Sequence, residues 1–197
     1  MAEKKDPVQK LTTEHGRELL RLARRTILKS FGADRSASPD DEFSNEVFQE
    51  KRGVFVTIHL DRQLRGCIGN LSGTETIVDG VRRNAVNAAF NDHRFSPLTL
   101  EELAKVDLEI SILTEAIILA YEDGEDLIRK LRPGTDGVII NQGGRGATFL
   151  PQVWDQLPEP ENFLSHLCLK AGLSGDAWRS GNLEVKTYQV QYFAEKE

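Results

Sequence analysis

Residues 53–69 read GVFVTIHLDRQLRGCIG. Gly53–Leu60 is β-branched and aromatic, Asp61-Arg62-Gln63 is polar, and Leu64–Ile68 is strand-like again, a pattern of two antiparallel strands joined by a short tip. Within it, Leu64-Arg65-Gly66-Cys67-Ile68-Gly69 is the most unusual string. Glycine inside a strand gives up chain entropy and side-chain packing unless the backbone must bend or come close to another group.

Working outward, Thr74 is the expected cap of a helix that runs to Phe90, with Ile77, Val81, Ala85 and Ala88 in one apolar stripe against the hairpin's sheet. Thr99 and Glu102 form a capping box and Leu98 with Leu103 a hydrophobic staple, so a short helix starts there. Val106–Leu113 alternates, with Val106, Leu108, Ile110 and Ile112 on one face and Asp107, Glu109 and Ser111 on the other, as in a strand buried on one side. The second half repeats the order. Gly137–Asn141 and Ala147–Leu150 are strand-like around a Gly143-Gly144 turn, Glu161–Ala171 is helical with Gly172 as its stop, and Leu183–Phe193 alternates as one strand. Gly53-Val54 rhymes with Gly137-Val138 and Arg65-Gly66 with Arg145-Gly146, so a β-β-α-β unit is expected twice. Upstream, Glu14–Phe31 reads as an amphipathic helix capped by Thr13 and closed by Gly32. Residues 33–45 read as a surface loop and residues 1–10 as a loose tail. The fold class is α+β, mainly antiparallel sheet with flanking helices.

A chain of 197 residues buries about 70% of its unfolded surface, so neither a disulfide framework nor a structural metal is required. Cys67 and Cys168 have no CxxC spacing, which fits a reducing compartment. No apolar run is long enough for a membrane span and the N-terminus lacks the apolar core of a secretory signal, so a cytoplasmic location without membrane partners is expected. The net charge of −6 makes nucleic acid an unexpected partner. The charge is uneven: residues 1–29 hold eight Lys and Arg against four acids, leaving −10 for the remainder. Arg17, Arg21 and Arg24 share one helix face, which reads as a solvated face.

Cys67 is the candidate chemical group. A thiol flanked by open backbone N–H groups and an adjacent guanidinium, Arg65, suits a nucleophile or an anion site; equally, a small cysteine fits the interior of a bulged strand. Asn91-Asp92-His93-Arg94-Phe95 mixes acid, imidazole and guanidinium at a helix end, a composition shared by catalytic loops and by ordinary caps and turns. His15, His59 and His166 are scattered, so no metal site is expected. Gly143-Gly144-Arg145-Gly146 lacks both the Walker lysine and the dinucleotide spacing, and no cofactor is expected. Phe149-Leu150-Pro151-Gln152-Val153-Trp154 leaves its strand at a proline with an amide and an indole close by.

Taken together, these strings resemble the AMMECR family, whose prokaryotic members include the AmmeMemoRadiSam system protein A. The resemblance rests on the hexapeptide at residues 64–69, on Asp92, Arg94, Phe95, Pro97 and Leu98, on Leu108-Glu109-Ile110-Ser111, on Leu150-Pro151-Gln152-Val153, and on Cys168, Lys170, Ala171, Gly172 and Leu173 followed by Trp178. It implies a larger lobe built from both chain ends and a smaller lobe from the middle, with the hexapeptide near a cleft. It also implies, by gene neighbourhood, Memo-like and radical-SAM partners. His93 stands where family members usually carry proline, so a family-wide Cys–His dyad is not expected. Two functional readings follow. One is a cleft-bearing binding or accessory component, whose binding residues are Gly66, Gly69, Asp92, Arg94, Glu109 and Gln152. The other is an enzyme that uses Cys67, with Arg65, on a small anionic substrate.

Overall fold

A computed structural model describes residues 10–32, 43 and 45–196. The readings for the tail and for the loop at 33–45 therefore fall almost wholly outside the described residues. The chain divides into two compact units, Met1–Leu113 with Gln191–Glu197, and Thr114–Val190.

In the first unit, α1 (Thr13–Ser30) is capped by Thr12, one residue before the expected Thr13. Thr12 Oγ1 accepts the His15 N–H at 3.2 Å while His15 Nδ1 accepts the Thr12 N–H at 3.2 Å. The histidine thus completes a capping box that a Ser/Thr-to-Glu/Gln pattern does not cover. Gly32, with φ +70°, ends the helix as expected. A short helix α2 (Glu46–Gln49) precedes the hairpin β1 (Val54–Leu60) and β2 (Gln63–Asn70). Its tip places both Asp61 and Arg62 at positive φ, the backbone of a two-residue hairpin turn. α3 (Ile77–Phe90) starts at the Thr76 cap rather than Thr74, because the Ile77 N–H is already given to the Glu50 carbonyl. α4 (Leu100–Leu103) carries the expected capping box, and β3 (Asp107–Leu113) and the C-terminal β8 (Val190–Ala194) complete a sheet of order β2-β1-β3-β8.

The inward face of this sheet (Val56, Ile58, Leu108, Ile110) and the stripes of α1 (Leu19, Ala23, Ile27) and α3 (Ile77, Val81, Ala85) are fully buried together. Each large aliphatic in such a core contributes about 1.5–3 kcal/mol by leaving water. α3 lies so close to β2 that a Cβ on Gly66 would stand 2.2 Å from the Ala88 carbonyl oxygen, which is the reason for glycine there. On the outward face the register aligns Cys67, Thr57 and Glu109 in one cross-strand row. Ser111 is buried although it lies on the polar side of the alternation.

The second unit holds β4 (Ile117–Ile118), α5 (Gly124–Lys130), β5 (Gly137–Gln142), β6 (Arg145–Phe149), α6 (Pro160–Lys170) and β7 (Glu184–Tyr188), with sheet order β4-β7-β5-β6. Gly143 and Gly144 both take positive φ at the β5–β6 tip. Trp154 stacks on Phe163 at 3.7 Å and gives its indole N–H to the Asp136 carbonyl, so the strand exit at Pro151 is fixed by packing. The orders β2-β1-β3 and β6-β5-β7 are the same, each with antiparallel ladders, as the repeated β-β-α-β reading requires. One reading is corrected. Leu183–Phe193 is not a single strand: it breaks at Gln189, whose N–H is donated to Thr114 Oγ1 and whose carbonyl accepts the Thr114 N–H, so β7 and β8 enter different sheets. The fold is α+β, with two four-stranded antiparallel sheets and flanking helices. No helix among the described residues is long and apolar enough to cross a membrane.

Candidate functional site at the edge of the first sheet

β2 is an edge strand, and an edge strand carries backbone groups without a ladder partner. At Cys67 two side chains take the place of the missing strand. Asp92 Oδ2 accepts the Cys67 N–H at 2.9 Å, and Arg94 Nη2 donates to the Cys67 carbonyl at 3.1 Å. The two side chains are themselves joined: Arg94 Nε and Nη2 donate to Asp92 Oδ1 and Oδ2 at 2.9 and 2.7 Å, and the Arg94 N–H reaches Oδ1 at 3.2 Å. Asp92 is buried, whereas the Arg94 side chain stays 56% exposed, so the pair seals the edge from one side and meets solvent on the other. Hydrogen bonds from Arg94, joined by those from the Cys67 and Arg94 amides, hold the Asp92 carboxyl well below the usual carboxylate range against the opposing effect of burial. The same contact raises Arg94.

Since the Cys67 backbone points away from β1, the alternation of the strand turns the Gly66 N–H toward β1 and the Gly69 N–H toward the open edge. Arg65 is the extra residue of a β-bulge, His59 pairing with Leu64 and Ile58 with Gly66. Its guanidinium goes to Glu102, Nε to Oε1 at 3.0 Å and Nη2 to Oε2 at 3.1 Å, and Glu102 also caps Thr99. These bonds, that from Arg65 foremost, keep the Glu102 carboxyl low. Phe95 lies between the two cations, its ring centre 5.9 Å from Arg65 Cζ and 5.5 Å from Arg94 Cζ.

The Cys67 thiol is half-buried and accepts the Thr57 hydroxyl at 3.3 Å. No histidine hydrogen-bonds it among the described residues, and His93 points into solvent. Glu109, the next residue along the row, is half-buried and has no hydrogen bond or ion pair among the described residues. The structure therefore joins Cys67, Arg65, Gly66, Asp92 and Arg94 in one cluster, with Glu109 two strands away. Gln152 belongs to the second unit, where it is exposed on a 3-10 turn at Pro151–Asp155. Three participants were not read as site residues: Thr57, Glu102, read only as a cap, and Phe95. Counting register back from the two-residue tip puts Val56 opposite Cys67, and only the bulge at Arg65 moves Thr57 there; nothing in the sequence pairs Glu102 or Phe95 with Arg65. No group of three or more potential metal ligands converges among the described residues.

The sequence profile of the AMMECR1 family matches residues 20–193, which include every residue of this cluster. The chain belongs to the AMMECR1 family. Similar proteins are found in archaea. A protein of Thermofilum pendens is 39% identical over 197 residues, covering 94% of this chain and 92% of its own, and Protein MJ0810 of Methanocaldococcus jannaschii is 37% identical over 194 residues, covering 95% and 93%. The crystal structure of uncharacterized protein PH0010 from Pyrococcus horikoshii superposes with a TM-score of 0.81 at 33% identity, covering 94% of each chain. Membership of the AMMECR1 family supplies no reaction, because no activity is stated for these relatives.

Proposed function

We propose that this AMMECR1-family chain is a binding or accessory component, contacting its partners through the face that carries Cys67 and acting with Memo-like and radical-SAM proteins, as the family resemblance implies. One observation supports this reading best: both cations of the cluster are already bonded to carboxylates, and among the described residues the thiol has a hydroxyl and no histidine hydrogen-bonded to it. A nucleophilic cysteine requires an adjacent base or a free cation to hold its thiolate. Here Arg65 is committed to Glu102 and Arg94 to Asp92. The cluster is instead a rigid, half-open edge. In it Gly66 lets α3 approach, Asp92 and Arg94 fix the backbone, and the Gly69 N–H and the Glu109 carboxylate remain for a ligand.

A second reading keeps Cys67 as nucleophile or redox thiol acting on a small anionic substrate with Arg65. Thr57 favours it, since a hydroxyl donated to sulfur stabilises a thiolate. The anion would have to displace a carboxylate from Arg65 or Arg94 and approach Glu109. The test mixes the purified chain with purified Memo-like and radical-SAM proteins of the same organism, using size-exclusion chromatography with light scattering, for wild type and Cys67→Ser. Co-elution of both forms together with undiminished product formation by the Cys67→Ser assembly supports the binding component. Intact assembly with abolished product formation makes Cys67 catalytic, and no co-elution at micromolar concentration refutes the partnership.

A further inference from the structure

The outward face of the first sheet carries unmet polar groups one strand away from the Cys67 thiol. The register sets two cross-strand rows beside each other, Cys67–Thr57–Glu109 and Gly69–Phe55–Ser111, all within the first unit. Neighbouring strands lie roughly 5 Å apart and residues two apart on one strand roughly 7 Å, so Thr57, Glu109 and Ser111 surround one small patch of that face. Ser111 is 4% exposed, and its hydroxyl makes no hydrogen bond among the described residues. Buried hydroxyls are ordinarily bonded, so this one calls for a partner. Glu109 is half-buried and likewise unpaired among the described residues, although a carboxylate drawn out of water requires a counter-charge or donors. Thr57 gives its one hydroxyl proton to Cys67 Sγ at 3.3 Å, which leaves its oxygen able to accept. Phe55 walls the patch on one side: a Cβ on Gly69 would stand 2.2 Å from its ring, so the ring lies over the edge glycine.

The charges around the thiol do not cancel. Asp92, Glu102 and Glu109 stand against Arg65 and Arg94, and each guanidinium is already bonded to one of the first two carboxylates. Asp107, one row further along β3, is paired with Lys196 at 2.8 Å. Glu109 is therefore the acid in excess, and the patch selects a cation. Its carboxylate and two hydroxyl oxygens are acceptors on three sides, which suits a group with three diverging N–H donors, and an aromatic ring beside them adds a further attraction for positive charge. A metal ion is less well served, since no group of three or more potential metal ligands converges among the described residues. An anion meets the free carboxylate first.

We propose that Glu109, Thr57 and Ser111 form a binding site for the primary ammonium group of a ligand. The carboxylate supplies the charge, the hydroxyl oxygens accept the remaining N–H groups, and the ligand's carbon chain leaves along the Phe55 ring. A charge-assisted bond to Glu109 is the strongest of these contacts and sets the affinity. The inference rests on the reading of this face as a binding site and names the chemical class that it takes, a cation in place of the anion that a nucleophilic Cys67 with Arg65 would require. Co-elution with partner proteins reports whether the chain assembles and leaves the ligand open, so the two can fail separately.

The test follows the main-chain amides of Thr57, Glu109 and Ser111 by proton–nitrogen NMR of the isotope-labelled full chain. Butylammonium, tetramethylammonium or butyrate is added at constant ionic strength. Butylammonium is expected to shift these amides saturably in the millimolar range and butyrate to leave them unmoved. Tetramethylammonium, which has the charge without N–H donors, should bind about tenfold more weakly or less. Glu109→Gln should weaken butylammonium binding by about tenfold or more and Ser111→Ala by about threefold or more, while Glu101→Gln, exposed on α4, binds as the wild type does. The spectra show whether each variant is folded, and should one fail, the ligand series on the wild type still decides. The ammonium of a free amine and that of a partner's lysine are separated by acetyl-lysine methylamide: tighter binding than butylammonium assigns the site to a lysine, equal or weaker binding to a free amine. No saturable shift with either amine, an equal response to butyrate, equal affinity for tetramethylammonium, or unaltered affinity in Glu109→Gln overturns the proposal.

Discussion

Replacing Asp92 by Asn keeps the shape of the side chain and removes half of its acceptors. In the wild type, four bonds converge on the carboxylate, two on each oxygen: the Cys67 N–H and Arg94 Nη2 on Oδ2, the Arg94 N–H and Nε on Oδ1. An amide can accept at one end only. In either orientation its NH2 faces a main-chain N–H, that of Cys67 or that of Arg94, donor against donor. The Arg94 guanidinium is largely exposed, so water replaces its lost bond, and the dominant cost is the main-chain N–H left without an acceptor, which loosens the clamp on the edge. That cost is about 1.5–3 kcal/mol, which accelerates local opening of the edge by about 10- to 100-fold. Amide hydrogen exchange at Cys67, with Gly66 in the β1 ladder as internal reference, reads it directly. The pH dependence has a definite sign. The folded Asp92 carboxyl is held below its unfolded value, so its contribution is complete above the ordinary carboxylate range and is lost as pH falls toward the folded value. The asparagine variant lacks this dependence, and the gap between the two proteins should close in acid. A Cys67 amide that exchanges at the wild-type rate in Asp92→Asn, or a gap that is the same in acid and at neutrality, refutes the edge-sealing account.

Thr99→Ala removes the hydroxyl that accepts the Glu102 N–H at 3.2 Å and should cost about 1 kcal/mol in urea unfolding, with an unchanged slope. Gly66→Ala places a methyl 2.2 Å from backbone and should destabilise by about 1–3 kcal/mol, read as a lowered urea midpoint; a silent substitution would mean that α3 does not press on β2 there. An alkylating probe should label Cys67 in the native protein and Cys168 only on unfolding. Cys168 lies wholly inside the second core, where burial also pushes its thiol up, so mass spectrometry finding native labelling at Cys168 would contradict that core.

Much of the fold is legible because its signals are local. The hairpin at 53–69, the stripe of α3, the Thr99–Glu102 box and the glycine pair at 143–144 each need only neighbouring residues to be read. The break at Gln189 is different. Between Leu183 and Phe193 the apolar residues pass from odd positions (Leu183, Val185) to even ones (Tyr188, Val190, Tyr192), a change of phase near the break, but that the chain there crosses from one sheet to the other follows only from the tie to Thr114, remote in sequence. The site divides the same way. Cys67, Arg65, Asp92 and Arg94 stand out as residue types in unusual strings, but the sequence invites pairing the thiol with a cation or an imidazole. In the folded chain each cation meets a carboxylate first, Glu102 having been legible only as a cap, while His93 is turned to solvent.

The mutual hydrogen bonds of Thr114 and Gln189 also say something about how this chain is put together. The first residue of the second unit and the one next to its last are fastened to each other, and the flanking strands β3 and β8 are neighbours in the first sheet. The whole of Thr114–Val190 is therefore the loop of a β-hairpin, grown to the size of a folded body and closed at its own neck. A loop fastened in that way adds little closure entropy to the hairpin that carries it. Excising it and joining Leu113 to Gln191 through an Asn-Gly turn should leave a shorter chain that still forms the first sheet, with its own cooperative urea transition.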